Sequence, residues 1–171
     1  MTAELYVPDA DALIDIHRHF PDELDLLRNV AVKGQLCLVG GVYREVLRGT
    51  DRLRAAVERW VRHGVTLLEI DHDAALQAEY ARIDTAYGRS VRIGRQVYNS
   101  GFWNSPSGRK AADAQVVAAA KVLRRTVASD DHAVRAACFL EDVPCISWQE
   151  FLRRIRPAKP IPLPLEPEPH E

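Results

Sequence analysis

Five short apolar runs punctuate the chain, with helix-period segments between them, and this alternation limits the fold more than any other feature. The runs are LYV at 5–7, QLCLVG at 35–40, VTLLEI at 65–70, RTVAS at 125–129 and VPCIS at 143–147. Each is predicted as a strand; the second is bounded by Gly34 and Gly40. Between them apolar residues recur at helical spacing. Leu13, Ile14 and Ile16 form one set, followed beyond Pro21 by Leu24, Leu27 and Val30. Further helices are predicted over 41–48, 51–62, the stretch around Ala75–Ile83 with Asp71 as its cap, Lys110–Leu123, Asp131–Leu140 and WQEFLRRI at 148–155. Strands alternating with helices imply a mostly parallel sheet covered on both faces, a three-layer α/β/α sandwich.

The 171 residues suit one domain, and an apolar fraction of 47% supplies a sizeable core. That domain is expected over residues 1–156. Six of the ten prolines lie in 157–171, where IPLPLEPEP cannot continue a helix and lacks sheet donors at every proline. An extended, disordered tail is expected there; a docking peptide is the alternative. With 23 basic and 24 acidic residues the net charge is −1, so any contact with nucleic acid must be local. The three cysteines form no CxxC pair, which argues against a disulfide framework or a Cys-based zinc site and for a reducing, cytoplasmic setting. No run of eighteen apolar residues is present to span a membrane, and the first residues lack a signal-peptide pattern. The glycines make neither a G-x-G-x-x-G nor a P-loop, so no nucleotide cofactor is indicated.

In a parallel α/β sheet, ligands sit beyond the carboxyl ends of the strands, and several acids fall there. Asp9 follows the first strand directly, with Asp11 two residues on. Glu45 lies one turn into the helix after the second strand, Asp113 lies in the first turn or so of the Ala-rich helix, and Asp130 and Asp131 follow the fourth strand. Each has a plainer alternative. Asp9 or Asp11, and Asp130 or Asp131, could cap the next helix; Glu45 could flank it in solvent. Asp113, among Ala111, Ala112 and Ala114, needs solvent or a partner. Converging carboxylates repel one another unless a cation lies between them. Hard oxygen ligands without a Cys or spaced His set suit Mg²⁺ or Mn²⁺, and phosphodiester hydrolysis is the chemistry such a site serves.

These residues resemble a PIN-domain ribonuclease of the VapC kind, and more closely a PIN-like family of unknown function. The matching text is YVPDADALIDIHRHFP at 6–21, GGVYREVLRG at 40–49, KAADAQVVAAA at 110–120, TVASDDHAV at 126–134 and WQEFL at 148–152. The resemblance implies a PIN-like sandwich and an endoribonuclease dependent on Mg²⁺ or Mn²⁺. Asp9, Glu45, Asp113 and Asp131 would be its metal-binding and catalytic acids. Asp11, where the family often has Ser, Thr or Asn, adds a further ligand, and Asp130 is an alternative to Asp131. It also implies a toxin paired with a small protein antitoxin, and a homodimer. An RNA-processing or DNA nuclease, or a noncatalytic PIN-like binding protein, are the alternatives.

Segment 88–110 holds Arg89, Arg92, Arg95, Arg109 and Lys110 and no acid. Tyr98, Phe102 and Trp103 are interleaved with them. Basic groups neutralise phosphates and aromatic faces stack on unpaired bases, so this strip is expected to guide RNA toward the acids. A solvated basic loop whose aromatics cover the core is the alternative. His17 and His19, two apart, share no helix face, and His132 could touch substrate beside Asp131.

Overall fold

The computed structural model describes residues 4–103 and 112–157. Strand β1 (Tyr6–Pro8) leads into α1 (Ala10–His19), and Pro21–Glu23 turn the chain into α2 (Leu24–Val32). β2 (Leu38–Val39) is followed by α3 (Gly40–Val46) and α4 (Arg52–Arg62), and β3 (Leu67–Leu68) by α5 (Ala74–Tyr87). A hairpin, β4 (Val91–Ile93) and β5 (Gln96–Tyr98), precedes α6 (Asp113–Leu123). After it come β6 (Thr126–Ala128), α7 (His132–Leu140), β7 (Cys145–Ile146) and α8 (Trp148–Ile155).

β1, β6 and β7 form one parallel ladder and β2 with β3 a second. A single parallel bridge between Tyr6 and Leu36 joins them, through Tyr6 N–H to the Gln35 carbonyl at 2.7 Å and Cys37 N–H to the Tyr6 carbonyl at 3.1 Å. The resulting order is β3-β2-β1-β6-β7. The chain builds outward from β1 on one side, then returns to the other side at β6. The reversal between β1 and β6 is a topological switch point, where open α/β sheets form crevices.

Helices flank the sheet as the alternation predicts. α1, α2, α4 and α8 pack among themselves, as do α5, α6 and α7. α6 also lies against β1, β2 and β6, and Val116, Val117, Ala118, Ala119 and Ala120 are all buried. A helix buried on nearly every side needs small residues to let its neighbours approach, which explains the alanine run. No helix among the described residues is long and apolar enough to cross a membrane. Cys37, Cys138 and Cys145 are free thiols.

Several sequence expectations need correction. The strands predicted at 35–40 and 65–70 shrink to two paired residues each. Asp71 lies in a 3-10 turn, and Asp73 caps α5 instead, accepting from the Leu76 amide at 2.9 Å. The aperiodic segment after 88 contains the hairpin. Its two-residue turn has Gly94 at φ +58°, the first-position glycine of a type II′ turn. Lys110, at the expected start of α6, and all of the proline-rich tail except Pro157 fall outside the described residues.

One polar cluster ties the second helical group together. Glu141, at the end of α7, accepts from Arg82 and Tyr87 of α5 and from Lys121 of α6. Burial alone would raise its pKa, but these three donors outweigh burial and hold it at about 2. That stability is complete above the ordinary value of 4.5 and disappears as pH falls from 4.5 toward 2. Glu141→Gln is therefore expected to cost roughly 3 kcal/mol at pH 7, and much less at pH 3, as read from urea unfolding at the two pH values.

Candidate active site

Two aspartates at the switch point are at once helix caps and neighbours of each other. Asp9 leaves the end of β1 and caps α1; its Oδ1 accepts from the Ala12 amide at 2.7 Å. Its side chain is buried, and Oδ2 accepts from the Ser129 hydroxyl at the end of β6. Ser129 Oγ in turn accepts from the Asp131 amide at 3.1 Å. Asp131 caps α7, accepting from the amides of Ala133 at 2.8 Å and Val134 at 3.0 Å. The capping alternative thus holds for both residues without separating them.

The other acids arrive on helices. Glu45 is a half-buried residue of α3, and Asp113 is the first residue of α6. These two helices are pinned together near their N-termini. Gly41 N–H donates to Gln115 Oε1 at 2.8 Å. A Cβ on Gly41 would meet Ala112 Cβ and Gln115 Oε1 at 2.7 Å, so only glycine admits this approach.

The acids act on one another's titration. Burial, then repulsion from Asp131, Asp9, Glu45 and Asp11, pushes the Asp113 carboxyl up to about 7. Asp9 rises to about 6 for the same first reason; its hydrogen bonds from Ser129 and Ala12 oppose the rise, and Asp11 and Asp131 add to it. Burial and then Asp131 raise Asp11, while burial and then Asp11 raise Glu45. Asp11 is exposed and extends the cluster toward solvent. Asp130 turns elsewhere: its Oδ2 accepts from the Trp148 amide at 3.1 Å and its Oδ1 lies 3.8 Å from Arg135.

The carboxylates stand apart from one another. Among the described residues, no group of three or more His, Cys, Asp or Glu side chains is arranged to hold a metal ion. The donor chemistry nevertheless fits a hard divalent cation. It is all oxygen, and repulsion from neighbouring acids adds to burial at both Asp9 and Asp113. Mg²⁺ keeps several waters and is commonly bound by only one or two carboxylates, which an open set such as this can supply.

The basic strip divides. Arg89, Arg92 and Arg95 are exposed and make no ion pair among the described residues; Arg109 and Lys110 lie outside them. Two of the aromatics serve packing, contrary to the stacking expectation. Trp103 is buried and donates to Asp84 at 3.2 Å. Phe102 stacks on Tyr87 with ring centroids 5.5 Å apart. Ser129, Gln115 and Gly41 were not singled out as site residues from sequence. A hydroxyl at a strand end and a lone amide in an alanine-rich helix are the signals that mark the first two.

A family model described as a domain of unknown function (DUF4411) matches residues 6–157. No curated protein matches the sequence. Among solved structures, the PIN domain of RRP44 from T. brucei is 15% identical, with 89% of this chain and 80% of that chain covered and a TM-score of 0.50. PAE2754 from Pyrobaculum aerophilum is 15% identical, with 90% and 96% covered and a TM-score of 0.50. VapBC2 from Rickettsia felis, solved with a DNA fragment from its promoter, is 11% identical, with 84% and 98% covered and a TM-score of 0.50. At these identities the likeness is one of fold, and the fold is PIN-like.

Neutralising Asp113 removes the most strained charge of the cluster. In chelator at pH 8, Asp113→Asn is expected to melt above wild type, by roughly 2–4 °C for each kcal/mol of repulsion relieved. A raised carboxylate pKa penalises the folded state fully above pH 7. The gap should therefore shrink as pH falls from 7 toward 4, as followed by thermal unfolding across that range.

Proposed function

The chain belongs to the DUF4411 family and has a PIN-like fold, and from that premise we propose that it is a metal-dependent endoribonuclease that hydrolyses phosphodiester bonds in RNA. One observation carries this reading: acids from separate elements meet at the switch point, where burial and then their mutual repulsion lift Asp113 to about 7. A fold has no use for such repulsion. A site that must attract divalent cations does.

Asp9, Glu45, Asp113 and Asp131 would hold Mg²⁺ or Mn²⁺, with Asp11 at the exposed rim. Such an ion, when bound, lowers the pKa of a water and neutralises charge on a phosphodiester. The chain's own contribution is orientation. Ser129 fixes one oxygen of Asp9 and the Ala12 amide fixes the other. The first-turn amides of α7 fix Asp131, and the Gly41–Gln115 contact sets α3 against α6. Arg89, just before the hairpin, and Arg92 and Arg95 within it are exposed and would meet phosphates; Arg109 and Lys110 are proposed for the same role from sequence alone.

A small protein antitoxin is part of the proposal. VapBC2, similar in fold, is a complex bound to DNA from its promoter, and an acidic crevice gives an inhibitor an electrostatic target. A reducing, cytoplasmic setting, a homodimer and a domain spanning 1–156 complete it; the free thiols are consistent with the first.

Asp9→Asn and Asp113→Asn are each expected to abolish cleavage of total cellular RNA in Mn²⁺ while the far-ultraviolet circular dichroism stays that of wild type. Mg²⁺ or Mn²⁺ should raise the melting temperature of wild type and leave that of Asp9→Asn unchanged. Wild type that degrades no RNA in the absence of an inhibitor, or an Asp9→Asn variant that still cuts, would refute the assignment.

A further inference from the structure

A concavity begins one residue beyond Asp131, at His132. It has a volume of about 740 Å³ and lies between α7 and the β4–β5 hairpin. α7 contributes His132, Arg135, Ala136 and Phe139, spaced i, i+3, i+4 and i+7 and so aligned along one helix face. Ile93, Gln96 and Tyr98 form the opposite wall. The pairing of Ile93 with Gln96 and of Val91 with Tyr98 puts these three on one face of the hairpin, with Arg92 on the other.

The helix face changes character along its length. His132 directly follows Asp131, so this end lies next to one of the acids. Arg135 comes next, its guanidinium reaching the Ser129 carbonyl at 3.5 Å. At the far end Phe139 is 84% exposed, the most exposed large apolar side chain of the chain's described residues. Leu140 beside it is 45% exposed, so the apolar surface at this end of the groove is open to a ligand. Among the described residues no acidic side chain lines the groove, although Asp130 lies 3.8 Å from Arg135.

Building on the nuclease reading above, we propose that this groove holds the single-stranded segment of RNA flanking the cut site, with an unpaired base stacked on Phe139 and a phosphate beside His132 and Arg135. Three features favour an RNA strand over a protein partner. One end of the groove starts at His132, next to Asp131, and its Arg135 reaches the Ser129 carbonyl. Its polar groups, Arg135, His132 and Gln96, suit phosphate and base edges. Its exposed apolar surface centres on Phe139 and Leu140 at one end, which suits base stacking better than the broad apolar patch of a stable protein interface. The helix rise places Phe139 about 10 Å beyond His132, a span of about three stacked nucleotides at 3.4 Å each. A dinucleotide at the acids falls short of it.

The test uses the full chain and a fluorescein-labelled single-stranded RNA decamer of mixed sequence. Binding is read by anisotropy in an Asp113→Asn background, alone and combined with Phe139→Ala or Phe139→Tyr. Phe139→Ala should weaken decamer binding about tenfold, in line with the loss of one stacked base. Phe139→Tyr should restore it, and binding of the same sequence as a duplex should change little. In the otherwise wild-type chain, Phe139→Ala should raise KM for the decamer and leave cleavage of a dinucleotide unchanged. Equal decamer affinity with and without Phe139, or no decamer binding at all, overturns the proposal. So does a Phe139→Ala chain that changes from dimer to monomer by light scattering without losing decamer affinity, which would assign the surface to a second copy. Phe139-dependent binding by a wild-type chain that never cleaves would keep the groove and refute only the nuclease reading.

Discussion

The hydrogen bond from Ser129 to Asp9 organises the end of the sheet. It joins residues 120 positions apart in sequence, where β1 and β6 run side by side and the chain changes direction across the sheet. Asp9 is buried, and a buried carboxylate is costly unless its lone pairs are occupied. Here one oxygen is committed to the start of α1 and the other to the end of β6. The same serine accepts from the Asp131 amide, so the starts of α1 and α7 are registered through a single hydroxyl. Displacing it would loosen two helix caps together.

Around that bond, charge works against the fold. Helix N-termini favour a nearby carboxylate, and the caps of α1 and α7 benefit from this. Asp113 receives the opposing balance, because it is buried near four other acids. The helical framework holds them there through contacts that do not involve the carboxylates themselves: the packing of α6 against β1, β2 and β6, and the close approach of α3 to α6 at Gly41. The Glu141 cluster at the other end of α7 shows the contrasting solution, in which a buried acid surrounded by donors falls to about 2. One chain therefore drives similar groups in opposite directions by the choice of neighbours.

Much of this was legible in the amino-acid order because the central strands are short apolar runs flanked by strong helix signals. Val7, Val127 and Ala128 lie in such runs and are fully buried. The placement of Asp9, Glu45, Asp113 and Asp131 just beyond strands, or at the helices that follow them, could be read because a parallel sheet makes that edge special. The hairpin could not be read: Val91 and Ile93 alternate for too few residues, and a Gly94-Arg95 turn is a weaker signal than Asn-Gly. The α5 cap was misplaced because two aspartates compete and a 3-10 turn over Ile70–His72 absorbs the extra residues. Phe102 and Trp103 looked available for bases, but aromatic identity carries no information about which side of a loop faces the core. Ser129, Gln115 and Gly41 act through contacts across the fold, which local sequence does not encode.

The sheet has a seam. Its inner ladder holds β1, β6 and β7, its outer ladder holds β2 and β3, and one bridge at Tyr6 and Leu36 couples the two. Asp9 and Asp131 ride on the inner ladder, whereas Glu45 is carried by the helix that leaves the outer one. The placing of Glu45 relative to Asp9 and Asp131 therefore depends on that one bridge and on whatever spans the junction. α6, lying across the junction and bonded to α3 through Gln115, is the strut that stiffens it.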